Sequence, residues 1–160
     1  MTTSSPSSAL RTATGLDEIK ALAGADLGRT DWLEITQERV NTFADATGDH
    51  QWIHVDPERA ATGPFGAPIA HGYLTLSLVI PLFNDLLAIE GVSMSINYGL
   101  DKVRFPSPVK VGAKIRLHGV VDSVADVKGN GVEMRLTFTV EVEGAEKPAC
   151  VASAIYRHYA

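Results

Sequence analysis

Between Tyr73 and Phe83 the chain runs through 11 residues without a charge, among them Leu74, Leu76, Leu78, Val79, Ile80 and Leu82. The run is too short to span a bilayer, which takes about 20 apolar residues. It reads instead as a helix from His71 or Gly72 to about Ile89, with no polar face before Asn84. A helix that is apolar all round has to be buried by something else in the fold. Pro81 inside it should kink it.

What surrounds such a helix is read from the rest of the chain. After Ile89 the period changes from helical to alternating. Met94, Ile96, Tyr98 and Leu100 fall on even positions, and Val103 and Phe105 on odd ones. That slip of one residue predicts a bulge near Gly99 to Lys102. Ile115, Leu117 and Val121 form a second alternating set. Val132, Met134, Leu136, Phe138, Val140 and Val142 form the cleanest one. Lys128-Gly129-Asn130-Gly131 joins these two as a hairpin turn. Ala149 to Tyr159 reads as a last strand. Earlier in the chain, Asp17 to Ala23 reads as a short helix and Trp32 to Ile35 as a brief strand. Thr36 caps a helix over Gln37 to Thr47 that Gly48 stops. Asp56 and Pro57 open another, ending near Thr62. The expected architecture is α+β, a curved antiparallel β-sheet wrapped around a long buried central helix. An unpaired edge strand in such a sheet favours dimerisation.

The 160 residues make one domain, expected over residues 15–160 behind a disordered polar tail over residues 1–14. That tail lacks the basic start and apolar stretch of a secretory signal. The net charge of −5 argues against a nucleic-acid binder. Cys150 is the only cysteine, so no intrachain disulfide or cysteine-built zinc site is available. It is expected to be structural, and it fits a cytoplasmic location.

Reactive side chains are densest from Asp45 to Asp56. Asp49 and His54 stand five apart across the break after the first long helix, where an aspartate and a histidine can share one water. The same residues also read as a polar loop with a capping aspartate and a solvated histidine. His50 and His54 have the spacing of a helical metal pair, but Gly48 ends the helix before them, so no metal is expected. Ala70-His71-Gly72 puts a glycine at the start of the central helix, where free amides can hold a developing oxyanion. It reads equally as a turn before a core helix. Residues 101–118 carry Lys102, Arg104, Lys110, Lys114 and Arg116 against Asp101 alone. Such a patch suits a phosphorylated ligand, or is the solvated face of two strands.

The segment Phe43-Ala-Asp-Ala-Thr47-Gly48-Asp49-His50-Gln51-Trp52-Ile53-His54 resembles the (R)-specific enoyl-CoA hydratase motif of the MaoC-like dehydratases, which have the hot-dog fold. Gly63 to Thr75 is similar to the family's lead into its central helix, and Tyr98 to Pro106 to the strand that follows. The likeness covers residues 25–158. The family's Asn-Pro is Gln51-Trp52 here, and the Asp-x4-His spacing is intact. The resemblance implies reversible hydration of trans-2-enoyl-CoA to (R)-3-hydroxyacyl-CoA. Asp49 and His54 would be the catalytic dyad, and the Gly72 amide the donor to the thioester carbonyl. Trp52, His71, Tyr98, Lys102 and Arg104 are the candidate substrate contacts. No cofactor is implied, CoA being part of the substrate, and the partner is a second copy in a homodimer. No membrane contact is expected. A thioesterase on the same scaffold, or a non-catalytic acyl-CoA-binding dimer, would share fold and ligand without needing the Asp-x4-His motif.

Overall fold

The computed structural model describes residues 8–160. In chain order the elements are β1 (Arg11–Thr14), α1 (Gly15–Lys20), β2 (Asp26–Arg29), β3 (Leu33–Glu34), α2 (Gln37–Thr47), α3 (Trp52–Val55), α4 (Pro57–Ala61), α5 (Gly72–Ser77), α6 (Val79–Asn84), β4 (Leu87–Glu90), β5 (Met94–Arg104), β6 (Lys114–Val127), β7 (Gly131–Val142) and β8 (Cys150–Tyr159). A six-stranded antiparallel sheet runs in the order β2-β6-β7-β8-β5, with β3 also on β6. This is the hot-dog arrangement, with α5 and α6 as its filling. No helix among the described residues is long and apolar enough to cross a membrane.

Most local features have local causes. The Thr36 side chain accepts from the Arg39 amide, and Gly48 closes α2 at φ 81°. Asp56 caps α4 through the Arg59 amide, with Pro57 at the first helical position. The β6–β7 hairpin turns through Gly129 and Asn130, both at positive φ. The slip of period in β5 appears as two register shifts, between Asn97 and Gly99 and between Leu100 and Lys102. Each absorbs one residue against β8.

The core lies between the sheet and the two central helices. Leu117, Val121, Met134, Leu136 and Phe138 on the strands are fully buried, as is Cys150. Leu74, Leu78, Val79, Leu82 and Phe83 come down on them from the helices. Phe83 makes an edge contact with Phe138 at 5.2 Å and lies flat on Tyr156 at 5.6 Å. Burying Phe138 contributes about 2–3 kcal/mol.

Four expectations change. The central helix is split at Leu78 and ends at Asn84 rather than near Ile89. The Pro81 ring opposes the carbonyl of Ser77, four residues back, and the break falls beside it. Beyond the helix, Leu87–Glu90 is strand β4, paired in parallel with Arg11–Thr14. So residues 11–14, expected in a disordered tail, are a strand with Ala13 buried, while residues 1–7 of that tail lie outside the described residues. The first helix, α1, starts two residues earlier than expected, at Gly15. Finally, the central helix is not buried on all sides. Tyr73 (74% exposed), Ser77, Ile80 and Asn84 form a stripe that this chain leaves open. Alongside it, Met94, Tyr98 and Leu100 on the edge strand β5 are also exposed.

Candidate active site

Gly48 turns the chain sharply out of α2, and Asp49 is the next residue. Its carboxylate accepts from the Gln51 amide at 3.3 Å, which folds the chain into the single turn of α3. That turn carries His54, 94% buried at its inner side. Gln37 of α2 holds the turn by donating to the His54 carbonyl at 2.8 Å. On the other side the Ile69 amide donates to the Ile53 carbonyl at 2.9 Å. The segment before α5 is thus stitched to α3.

The two histidines are oriented by backbone carbonyls. His54 donates from Nδ1 to the Ile69 carbonyl at 2.6 Å, an assignment that follows because a carbonyl can only accept. In the neutral ring this leaves Nε2 as the bare base. His71, just before α5, donates from Nε2 to the Asp49 carbonyl at 2.9 Å. The two imidazoles stack at 3.8 Å with 24° between their planes, and Phe43 backs His71 at 4.9 Å. Burial pushes the His54 pKa below its ordinary value, and the neighbouring His71 acts in the same direction. The hydrogen bond to Ile69 and the charge of Asp49 oppose the shift. His54 is therefore neutral at pH 7, beside a carboxylate: a base able to take a proton from a water.

Asp49, His54 and His71 each place one donor atom within 4.8 Å of the others, close enough for a metal-site geometry to be tested. The stack answers against it. Nearly parallel rings 3.8 Å apart direct their nitrogen lone pairs along parallel planes, whereas an ion needs them to converge.

Gly72 opens α5, where the first amides have no intrahelical acceptor. It lines a cleft of about 310 Å³ with Phe65, Ile69, Thr75, Phe105 and Val109. A Cβ at position 72 would meet the Phe105 ring at 3.4 Å, so glycine keeps this approach open. The structure brings Asp49, His54, His71 and the Gly72 turn together, and Phe105 carries the end of β5 to the same cleft.

His71 is 98% buried, with its Nε2 bound to the Asp49 carbonyl and its Nδ1 without a partner among the described residues, so it supports the site from inside the fold. The other candidates lie apart. Trp52 lies under the Arg59 guanidinium at 4.4 Å and abuts Gly63, which ties α3 to α4. Tyr98 stacks under Arg157 at 3.6 Å, about 20 Å back along β5 from Arg104. Lys102 and Arg104 are exposed on the edge strand, and Arg104 immediately precedes Phe105. Arg116, counted in the basic patch, is not available to a phosphate. It is paired with Glu141, opposite it on β7, at 2.7 Å, and stacked on Trp32 at 4.3 Å. Gln37 and the Ile69 carbonyl escaped the sequence reading. Nothing in their residue types marks them, because a glutamine and a main-chain oxygen act here only by position.

A family model described as MaoC like domain matches residues 18–143. The chain is 53% identical over 151 residues to 3-hydroxyacyl-thioester dehydratase Z of Mycobacterium tuberculosis, covering 94% of this chain and all of that protein. It is 36% identical over 104 residues to a 3-hydroxybutyryl-CoA dehydratase of Methylorubrum extorquens, covering 61% of this chain and 62% of that protein. Among solved structures, an (R)-hydratase from A. caviae involved in PHA biosynthesis superposes with a TM-score of 0.69 at 28% identity, over 84% of this chain and 94% of that one. With the family model spanning most of the domain and the fold agreeing, the chain belongs to the MaoC-like dehydratase family and is a hydro-lyase.

Proposed function

We propose that this hydro-lyase interconverts trans-2-enoyl-CoA and (R)-3-hydroxyacyl-CoA, using Asp49 and His54 on one water. The observation that carries the reading is the orientation of His54: Nδ1 is spent on the Ile69 carbonyl, Nε2 is left as the base, and a ring nitrogen lies within 4.8 Å of an Asp49 carboxylate oxygen. In the hydration direction the pair accepts a proton from the water as its oxygen bonds to C3. The C2–C3 π electrons move toward the thioester carbonyl, and the Gly72 amide stabilises the oxygen that becomes negative. Collapse of this enolate takes the proton at C2 on the same face, and the pair returns to its starting protonation. Asp49 and His54 titrate as a unit in this scheme. In this reading Lys102 and Arg104 meet the CoA phosphates beyond the cleft.

The active form in this reading is a homodimer. A second copy would cover the open edge of β5 and the Tyr73–Ile80 stripe, surfaces that monomeric proteins rarely leave exposed together. Its mass is read by light scattering at micromolar protein, and a monomer with full activity would contradict it. The reaction is tested by following enoyl-CoA absorbance over a series of chain lengths, with chiral analysis of the product. Loss of the double bond with (R)-3-hydroxyacyl-CoA formed is the expected result. Release of free thiol instead would assign the scaffold to thioester hydrolysis.

A further inference from the structure

Three hollows follow one another along the central helices. The first is the cleft at Gly72, with Ala149 on its far wall. The second, about 250 Å³, lies between Leu76 and Val79 on the helix side and Ala152 and Ala154 on β8. The third, about 570 Å³, shares Ile80, Asn97 and Tyr156 with the second and continues to Ser95 and His158. Residues 152, 154, 156 and 158 of β8 alternate onto one face of the sheet, which keeps the hollows in line. The helices rise about 18 Å from Gly72 to Asn84 at the far end.

That far end differs chemically from the middle. His158 is 97% buried. Its Nδ1 lies 2.8 Å from the Ser95 hydroxyl, its cross-strand partner, while Nε2 is buried without any partner among the described residues. A saturated chain filling this hollow would leave that nitrogen unpaired, which proteins avoid because it is costly. A ligand oxygen would pair with it. When the Ser95 hydroxyl donates to Nδ1, Nε2 carries the hydrogen and suits a keto or hydroxyl oxygen. When Nδ1 donates, Nε2 accepts and suits a hydroxyl. Burial holds the His158 pKa below its ordinary value, so the ring is neutral and both arrangements are open to it.

We propose that the substrate is a long acyl thioester bearing a hydroxyl or keto oxygen toward the end distal to the thioester, and that His158 is the residue that selects for it. The proposal rests on the thioester hydratase reading above and adds the class of acyl group.

The test compares long-chain enoyl-CoA substrates of matched length that are unsubstituted, distally hydroxylated or distally keto-substituted. With the wild type, kcat/KM for an oxygenated chain is expected to exceed that for the plain chain by about tenfold, the discrimination one well-formed hydrogen bond supplies. In His158→Phe, checked for folding by circular dichroism, the ratio should fall to about one, and His158→Gln should restore part of it. Should the Phe variant fail to fold, the wild-type ratio decides alone. The hydroxyl and keto arms identify which oxygen is bound. Equal kcat/KM for plain and oxygenated chains in the wild type overturns the proposal and leaves the hydratase reading standing. Failure to hydrate any enoyl thioester removes both, and is recognised because short chains fail as well.

Discussion

His71 offers the sharpest test of how the site is held. It bonds the Asp49 carbonyl at 2.9 Å and stacks on His54 at 3.8 Å, so one ring positions both members of the proposed dyad. His71→Ala removes a side chain that is only 2% exposed. Lost packing and the void left behind are worth about 2 kcal/mol, below the Phe→Ala range because an imidazole is smaller and more polar. The lost hydrogen bond adds about 1 kcal/mol. A loss of about 3 kcal/mol should lower Tm by roughly 6–12 °C in a domain of this size. The Asp49 loop then loses its anchor across 22 residues of sequence. A displacement near 1 Å can lower turnover by about 10²-fold. The assay is urea unfolding together with steady-state hydration of an enoyl-CoA. The expected signature is a falling kcat with KM little changed, as a ring that positions the loop without touching substrate requires. His71→Gln, which keeps an N–H donor but loses the stack, should fall between. A raised KM at unchanged kcat and Tm would refute this reasoning and make His71 a substrate contact.

Asp49→Asn and His54→Ala should each lower kcat by roughly 10²-fold or more in a folded protein. The double variant should be little worse than the poorer single one, and near-normal turnover in either single variant would reject the dyad. The buried histidines set the acid limit. His54 and His158 have folded pKa values below their ordinary 6.5, so in acid the unfolded chain binds their protons first. Their contribution to stability is complete above pH 6.5 and is lost as pH falls from there through the folded values. Exposed His50, raised by Asp45, works in the opposite sense. Urea midpoints should therefore drop between pH 7.5 and 5.5, and a rise would contradict the burial of both rings. Arg104→Ala should raise KM for enoyl-CoA at constant kcat, with weaker salt dependence, and leave a pantetheine substrate unaffected. Arg116→Ala should instead destabilise the fold, since it removes one of the two guanidinium partners of Glu141, leaving Arg29 alone, and unstacks Trp32; a pure KM effect there would show that the Arg116–Glu141 pair opens to substrate.

What the sequence determined by itself is what neighbouring residues can impose on one another. Thr36 and Gly48 bound α2 because a cap and a left-handed turn are local conformations. The shift from even to odd apolar positions in β5 declares its bulges because side chains alternate along any strand. The Asp49-x4-His54 spacing is legible for the same reason: Gly48 and the one turn of α3 lie between the two residues, and nothing distant is needed to bring them close. Contacts across the fold were decided only by the tertiary structure. Arg11–Thr14 carries no strand signal strong enough to separate it from a polar tail, and it becomes β1 because Leu87–Glu90 is there to pair with it. Arg116 reads as a free cation until Glu141 stands opposite it. The apolar run at Tyr73–Phe83 demanded burial, but which of its faces this chain covers depends on where β5 and β8 pass. His71 and His158 are single histidines in the sequence. One props the Asp49 loop and the other stands at the end of a groove, each with one nitrogen bonded and one not, because hydrogen-bond partners and the lack of them arise between segments far apart in the chain.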